Sequence, residues 1–202
     1  CYILGEQLAA TLNSLSTKVS SVTVVDQANN HSYSNISVES AQYTYGLNQG
    51  SHSAQTIYAI GDDNELERID TQGSVSVSAI TYGDGKTKFK QVAVAPGQQG
   101  SRTAQLALVS QDGTKVYEPT RTNGQDQLTQ IYPSGNTQGG KVGELSWDTN
   151  GALWFTATLN GVTSVYRYSQ ATLSSVTLSG LNGTVTQVAA APDGARVAVG
   201  YT

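Results

Sequence analysis

The chain has 202 residues, 11 of them basic and 15 acidic, for a net charge of -4, with 21 glycines, 4 prolines, one cysteine and no methionine. One thiol excludes a disulfide framework within the chain, and the slight acidity gives no electrostatic footprint for nucleic acid or an anionic bilayer. Nothing approaches the roughly 18 consecutive apolar residues of a membrane-spanning helix. With 38% hydrophobic and 13% charged residues, water-facing positions fall to Ser, Thr, Gln, Asn and Gly, the usage of extended, turn-rich structure. Long exposed helices use Glu, Lys, Arg and Ala instead.

Cys1 admits two readings: a lipid-bearing terminal cysteine, or a boundary inside a longer chain. The second is favoured because Tyr2, Ile3 and Leu4 follow with no polar spacer. In residues 3 to 15, Ile3, Leu4, Leu8, Leu12 and Leu15 recur at helical spacing, predicting an amphipathic helix. Val22, Val24 and Val25 lie among Ser and Thr in residues 19 to 25 and predict a strand. This unit is too small to bury its own apolar faces.

From about residue 35 short runs of Val, Ile, Tyr and Thr alternate with turn pairs: Asp84-Gly85, Asp112-Gly113, Asn123-Gly124, Asn150-Gly151, Asn160-Gly161, Asn182-Gly183 and Asp193-Gly194. Such pairs accept the positive φ angles of tight hairpins, so an all-β region of successive antiparallel hairpins is expected. Three segments repeat, at 89 to 96, 141 to 157 and 184 to 202, with a weaker relative at 56 to 80. Matching Val92, Leu145 and Val188 gives intervals of 53 and 43 residues, near the ~40–50-residue period of propeller blades. Residues 56 to 202 hold about three and a half such units, fewer than the four or more blades of a closed ring. With the absent methionine, this leads to the expectation of a piece of a larger protein. The fold class expected is mainly β, a partial β-propeller of four-stranded antiparallel blades over residues 41 to 202, preceded by a helix–strand remnant of an α/β domain over residues 1 to 40.

Catalytic residue types are scarce. His31 and His52 sit in polar, loop-like stretches, and no Cys/His cluster has zinc spacing, so neither metal nor cofactor is expected. The acidic run Asp62, Asp63, Asn64 and Glu65 lacks the every-second-residue pattern that wraps a chain around calcium and reads as a solvated turn. Glu144 and Asp148 invite comparison with a glycosidase pair, yet Asp148 reads better as a turn residue bonding its own backbone. No G-x-S-x-G elbow or phosphate-cradling loop is present, and GDGKTK at 83 to 88 reads as a hairpin turn. No enzyme is expected. Trp147, Trp154, Tyr166 and Tyr168 are the candidate binding residues, because such side chains serve both packing and interfaces. The tryptophans are expected to wedge between blades. Asp148, Gly151, Asp193 and Gly194 are the candidate turn residues.

The stretch VGELSWDTNGALWFTA carries Trp147, Asp148, Gly151, Leu153 and Trp154, and APDGARVAVG carries Pro192, Asp193, Gly194, Arg196, Val197 and Ala198. In this tandem arrangement the chain resembles the β-propeller domain of the LpqB lipoprotein family of actinobacteria. LGEQLAATLNSLSTKVSSVTVVDQ looks like the end of the GerMN-type domain that precedes that propeller. The resemblance covers about two thirds of the chain; Ala189, Ala190 and Ala191 and the insertion GQQGSRTAQ at 97 to 105 depart from it. It implies a non-catalytic, extracytoplasmic protein whose parent is lipid-anchored to the membrane. The implied partner is the extracytoplasmic domain of an MtrB-like sensor histidine kinase, whose two-component signalling it modulates. The alternative from the residues is a glycan-binding or glycan-cleaving propeller of the cell wall, which requires exposed tryptophans beside a carboxylate pair.

Overall fold

A computed structural model describes residues 3–4, 24–25, 33–38, 56–70, 76–83, 85–95, 105–122, 125–180, 183–191 and 196–202. Short strands β1 (Ile3–Leu4) and β2 (Val24–Val25) pair in parallel. Fourteen further strands follow: β3 (Tyr33–Val38), β4 (Thr56–Gly61), β5 (Leu66–Asp70), β6 (Ser76–Ile80), β7 (Phe89–Val94), β8 (Leu106–Ser110), β9 (Val116–Thr122), β10 (Gln125–Tyr132), β11 (Lys141–Trp147), β12 (Leu153–Leu159), β13 (Val162–Ser169), β14 (Thr172–Val176), β15 (Val185–Ala190) and β16 (Val197–Tyr201). They form three antiparallel four-stranded meanders, β3 to β6, β7 to β10 and β11 to β14, and a two-stranded sheet of β15 and β16.

The order of burial within each meander follows composition. The second strands, TIYAIG, LALVS and LWFTATL, are apolar and mostly buried. All five residues of β8 are buried. The last strands of the first and third meanders, SVSAI and TLSSV, are rich in serine and mostly exposed. One apolar cluster, with Tyr58, Ile60, Leu66, Phe89, Val92 and Leu108, joins the first meander to the second. Another, with Val109, Val116, Ile131, Trp147, Leu153 and Phe155, joins the second to the third. The meanders are therefore consecutive blades of a partial β-propeller, as expected from the repeat.

Turn chemistry sets the registers. Asn160 and Gly161 both have positive φ, 52° and 78°, which makes the β12–β13 connection a two-residue hairpin whose twist matches its strands. At the β8–β9 turn the Asp112 carboxylate accepts hydrogen bonds from the Ser110 hydroxyl (2.6 Å) and the Thr114 N–H (3.0 Å). These bonds hold its pKa down at about 2.

The blades are also joined through the first strand of each meander, which has a ladder partner on one side only. Its other edge presents main-chain groups that need partners. The preceding blade provides them. Asn35 Oδ1 accepts the Val92 N–H at 2.8 Å and Ser37 Oγ accepts the Val94 N–H at 3.0 Å. Two junctions further on, Ser146 Oγ accepts the Ala190 N–H at 2.9 Å. Aligning Ile36, Val92, Leu145 and Val188 puts Ser37 and Ser146 at the same blade position, and Val94 and Ala190 at the next one. In the second blade that serine position is Ala93. Its carbonyl accepts instead from the Trp147 indole N–H at 3.2 Å. Gln91 Nε2 also donates to Glu144 Oε2 at 2.9 Å. Toward the start of the strands, Phe89 N–H donates to the Asn64 carbonyl and Val142 N–H to the Gly113 carbonyl, both at 2.8 Å.

Three features differ from the sequence-based expectation. Ile3 and Leu4 form a strand with Val24 and Val25 rather than the start of a helix. A short apolar run at the head of a periodic stretch satisfies both patterns, and strand pairing decided between them. The rest of the expected helix lies outside the described residues. The 83 to 88 stretch links β6 to β7, which belong to different sheets, so it is a blade-to-blade connection and not a hairpin. Finally, β3 lies upstream of residue 40 and pairs with β4, supplying the first strand of the first blade.

If these edge bonds hold the blades together, Ser146→Ala lowers the unfolding free energy by about 1–2 kcal/mol. This is read as a lower urea midpoint with an unchanged slope. An unchanged midpoint would show that the Ala190 N–H gains nothing from Ser146.

Candidate functional site

The third blade holds the four aromatic candidates and splits them between its two faces. Trp147 pairs with Leu153 across β11 and β12 and, being 7% exposed, fills the apolar cluster beside the second blade. Trp154 pairs with Ser146, so it lies on the opposite face, toward β15. Its indole N–H donates to Asp148 Oδ2 at 3.0 Å, and the Arg167 guanidinium sits over its ring at 5.6 Å from the centroid. Asp148 is buried and spends its other oxygen on its own turn: Oδ1 accepts the N–H groups of Asn150 and Ala152, each at 2.9 Å. Gly151, at φ 76°, completes that turn. The carboxylate thus ties a hairpin to a tryptophan and is buried.

Tyr166 and Tyr168 lie on the face toward the second blade. Tyr168 is buried, and its hydroxyl donates to Glu118 Oε2 of the second blade at 2.8 Å. Burial, then the hydrogen bond to Glu118 and its charge, push the phenol pKa up to about 12. Tyr166 stacks on Phe155 (centroids 5.4 Å apart, planes at 18°) and leans against Tyr132 (4.9 Å, 58°). Tyr132 meets Phe155 edge-on at 5.5 Å. Its hydroxyl accepts the Gly140 N–H at 2.9 Å, and burial raises its pKa against the opposing effect of that bond.

Two of these three rings, Tyr132 and Tyr166, line a groove of about 340 Å³ between the second and third blades. One wall is the connection carrying Pro133, Ser134, Thr137 and Gln138; the other is the sheet surface of Ala157, Leu159, Val162, Ser164 and Leu173. The connection is held close by two glycines. A Cβ on Gly139 would lie 2.1 Å from the Thr114 carbonyl oxygen, and one on Gly140 2.6 Å from that of Thr158. Among the described residues that line it there is no acid, amine, guanidine or imidazole.

Of the sequence candidates, the structure brings Tyr166 to this groove, buries Trp147 and Tyr168 as blade contacts, and sets Trp154 on the other face. Asp193 and Gly194, like His31 and His52, lie outside the described residues. In the acidic turn, Asp63 Oδ1 accepts the Glu65 N–H at 3.0 Å and Glu65 pairs with Lys88. Among the described residues no group of three or more His, Cys, Asp or Glu side chains is placed to hold a metal ion. Glu144 and Asp148 are each bonded elsewhere, to Gln91 and to Trp154. Sequence reasoning missed the groove and Tyr132 as part of it. The one available signal was that Tyr132 ends a strand immediately before a proline, at a blade boundary.

Residues 64–199 match the family described as the lipoprotein LpqB beta-propeller domain. No curated protein matches the chain.

The Tyr168 proton is held more tightly in the folded chain than in the unfolded one. Its contribution to stability is complete below the unfolded pKa of about 10 and is lost as pH rises toward about 12. Tyr168→Phe is expected to cost about 1–2 kcal/mol at neutral pH, where Glu118 Oε2 loses its donor. It should also flatten the alkaline fall of the urea midpoint. An alkaline limb identical to that of the parent chain would contradict the assignment.

Proposed function

The chain belongs to the lipoprotein LpqB β-propeller family, an envelope-associated, extracytoplasmic class, and from that membership we propose a specific role. It acts as a non-catalytic accessory that binds the extracytoplasmic domain of a sensor histidine kinase and modulates its signalling. The observation that carries this reading is how the polar groups around the third blade are used. Asp148, Glu118 and Glu144 are committed to a turn or to a neighbouring blade, while the accessible groove is uncharged. Acid–base chemistry needs ionisable groups converging on a substrate position; a surface for another protein needs a rigid frame and accessible apolar and hydrogen-bonding groups. The arrangement supports the second use. The glycan alternative gains no support from a tryptophan platform, since Trp147 is buried and Trp154 lies on the opposite face.

Isothermal calorimetry of the complete extracytoplasmic protein against the kinase's extracytoplasmic domain is expected to give saturable heat. Absence of heat at high micromolar concentrations of both proteins would contradict the proposal.

A further inference from the structure

Glu67 is buried on the first blade and, among the described residues, nothing in the fold accounts for it. It lies on β5, paired with Ala59 of β4 and Ala79 of β6. Ile60 and Leu66 pack toward the second blade, whereas Ala59 and Ile69 form a separate cluster, and strand alternation puts Glu67 on the face of the latter. It is 8% exposed, and its Oε2 is buried with no hydrogen-bond partner. A buried carboxylate oxygen left unpaired is costly. Arg68, next in the strand, lies by the same alternation on the other face, so the compensating charge does not come from it.

A small open space adjoins this carboxylate. Gly61 ends β4, and a Cβ there would lie 3.1 Å from Asp63 Oδ1 and 3.3 Å from Glu67 Oε1. Oxygens of two carboxylates therefore border the place where the glycine has no side chain. Gly61 is not among the positive-φ residues, so its main-chain conformation does not call for glycine. What the glycine provides is room between the two acids.

The charge around this room is one-sided. Asp62, Asp63, Glu65 and Glu67 fall within six positions, and Lys88 pairs with Glu65. Asp63 Oδ1 accepts the Glu65 N–H at 3.0 Å and, as an ionised carboxylate, has lone pairs to spare. An all-oxygen donor set suits a hard cation. Magnesium demands a near-ideal octahedron, whereas calcium accepts an irregular shell of carboxylate, carbonyl and water oxygens.

The geometry points to a calcium site at the β4–β5 turn. Glu67 and Asp63 supply the negative charge beside Gly61, and water and main-chain carbonyl oxygens complete the shell. The ion gives the orphaned carboxylate its counter-charge and ties the first residues of β5 to the turn. Asp63 and Glu67 do not follow the every-second-residue pattern of a calcium loop; the hairpin brings them together by folding Glu67 back beside the turn. Among the described residues no third acid is placed to join them, so the affinity is low, with Kd about 10⁻⁴–10⁻³ M, the range of extracellular modules. That strength suits an extracytoplasmic chain. The site is independent of the kinase proposal, and the outcome of neither test decides the other.

The test is equilibrium dialysis of the complete extracytoplasmic protein against radiolabelled calcium, at an ionic strength that screens loose surface attraction. It compares the parent chain, Glu67→Gln, Asp63→Asn and, at the corresponding turn of the second blade, Asp112→Asn. The parent is expected to bind one ion more than Glu67→Gln, half-saturated at about 0.1–1 mM. Asp63→Asn keeps an oxygen for the Glu65 N–H but removes a ligand charge, and is expected to weaken that ion by about tenfold. Asp112→Asn should leave it unchanged. Asp63 is exposed, so its variant keeps the test open should Glu67→Gln fail to fold. A second readout separates a ligand from a merely structural acid: calcium raises the urea midpoint of the parent and not that of Glu67→Gln. Parental calcium binding in both first-blade variants would overturn the inference, as would no calcium binding by the parent at millimolar concentrations. An equal loss in Asp112→Asn would reduce the effect to general negative charge and reject the site. Magnesium binding as tight as that of calcium would reject calcium as its occupant.

Discussion

The open edge of each blade's first strand is the constraint on which the rest of the structure depends. A strand with a ladder on one side leaves alternate N–H groups on the other, and buried N–H groups without partners are costly. Here the preceding blade answers them, through Asn35 and Ser37 at one junction and Ser146 at another. Where the second blade has Ala93 in the serine position, the bond reverses direction: the Ala93 carbonyl accepts and Trp147 of the next blade donates. Serine at one junction and tryptophan at the next therefore serve the same end. Apolar clusters between the blades add the non-directional part of the stabilisation, and the edge bonds set how far one blade slides against the next.

That frame governs what the surface can do. Asp148, Glu118 and Glu144 are engaged in turns and blade junctions. The groove lies at the junction of the second and third blades. Near their first strands the blades meet through bonds and apolar packing, while further out Tyr132, Tyr166 and Phe155 fill the gap only in part. A binding surface at this place is held by two blades and the glycine-tightened connection, so its shape does not depend on a free loop.

Much of the architecture was legible in the sequence because its signals are local. Turn pairs such as Asn160-Gly161 need only their own φ angles, and the recurrence of Val92, Leu145 and Val188 marks the first strand of each blade. Asp148 as a turn residue was legible for the same reason. What the sequence concealed is non-local. Nothing in Ser37, Ser146 or Gln91 by itself announces a bond to a residue some fifty positions away, although extending the alignment back to Ile36 would have brought the two serines into one column. The hairpin register that pairs Trp147 with Leu153 and Ser146 with Trp154 sets the two tryptophans on opposite faces, and that register depends on the turn between them. That one would be buried against a neighbouring blade and the other left beside Arg167 depended on the blade order. At Ile3 and Leu4 the helical spacing was real, and a pairing with Val24 and Val25 prevailed.

The central claim, that successive sheets are locked edge to edge as sectors of one wheel, is tested most directly by native-state hydrogen exchange at the amides of Val92, Val94 and Ala190. If the preceding blade binds these groups, their exchange is as slow as that of ladder-bonded amides in the same strands. Rapid exchange at all three, beside protected ladder neighbours, would mean that the edges are open to water and would contradict the account.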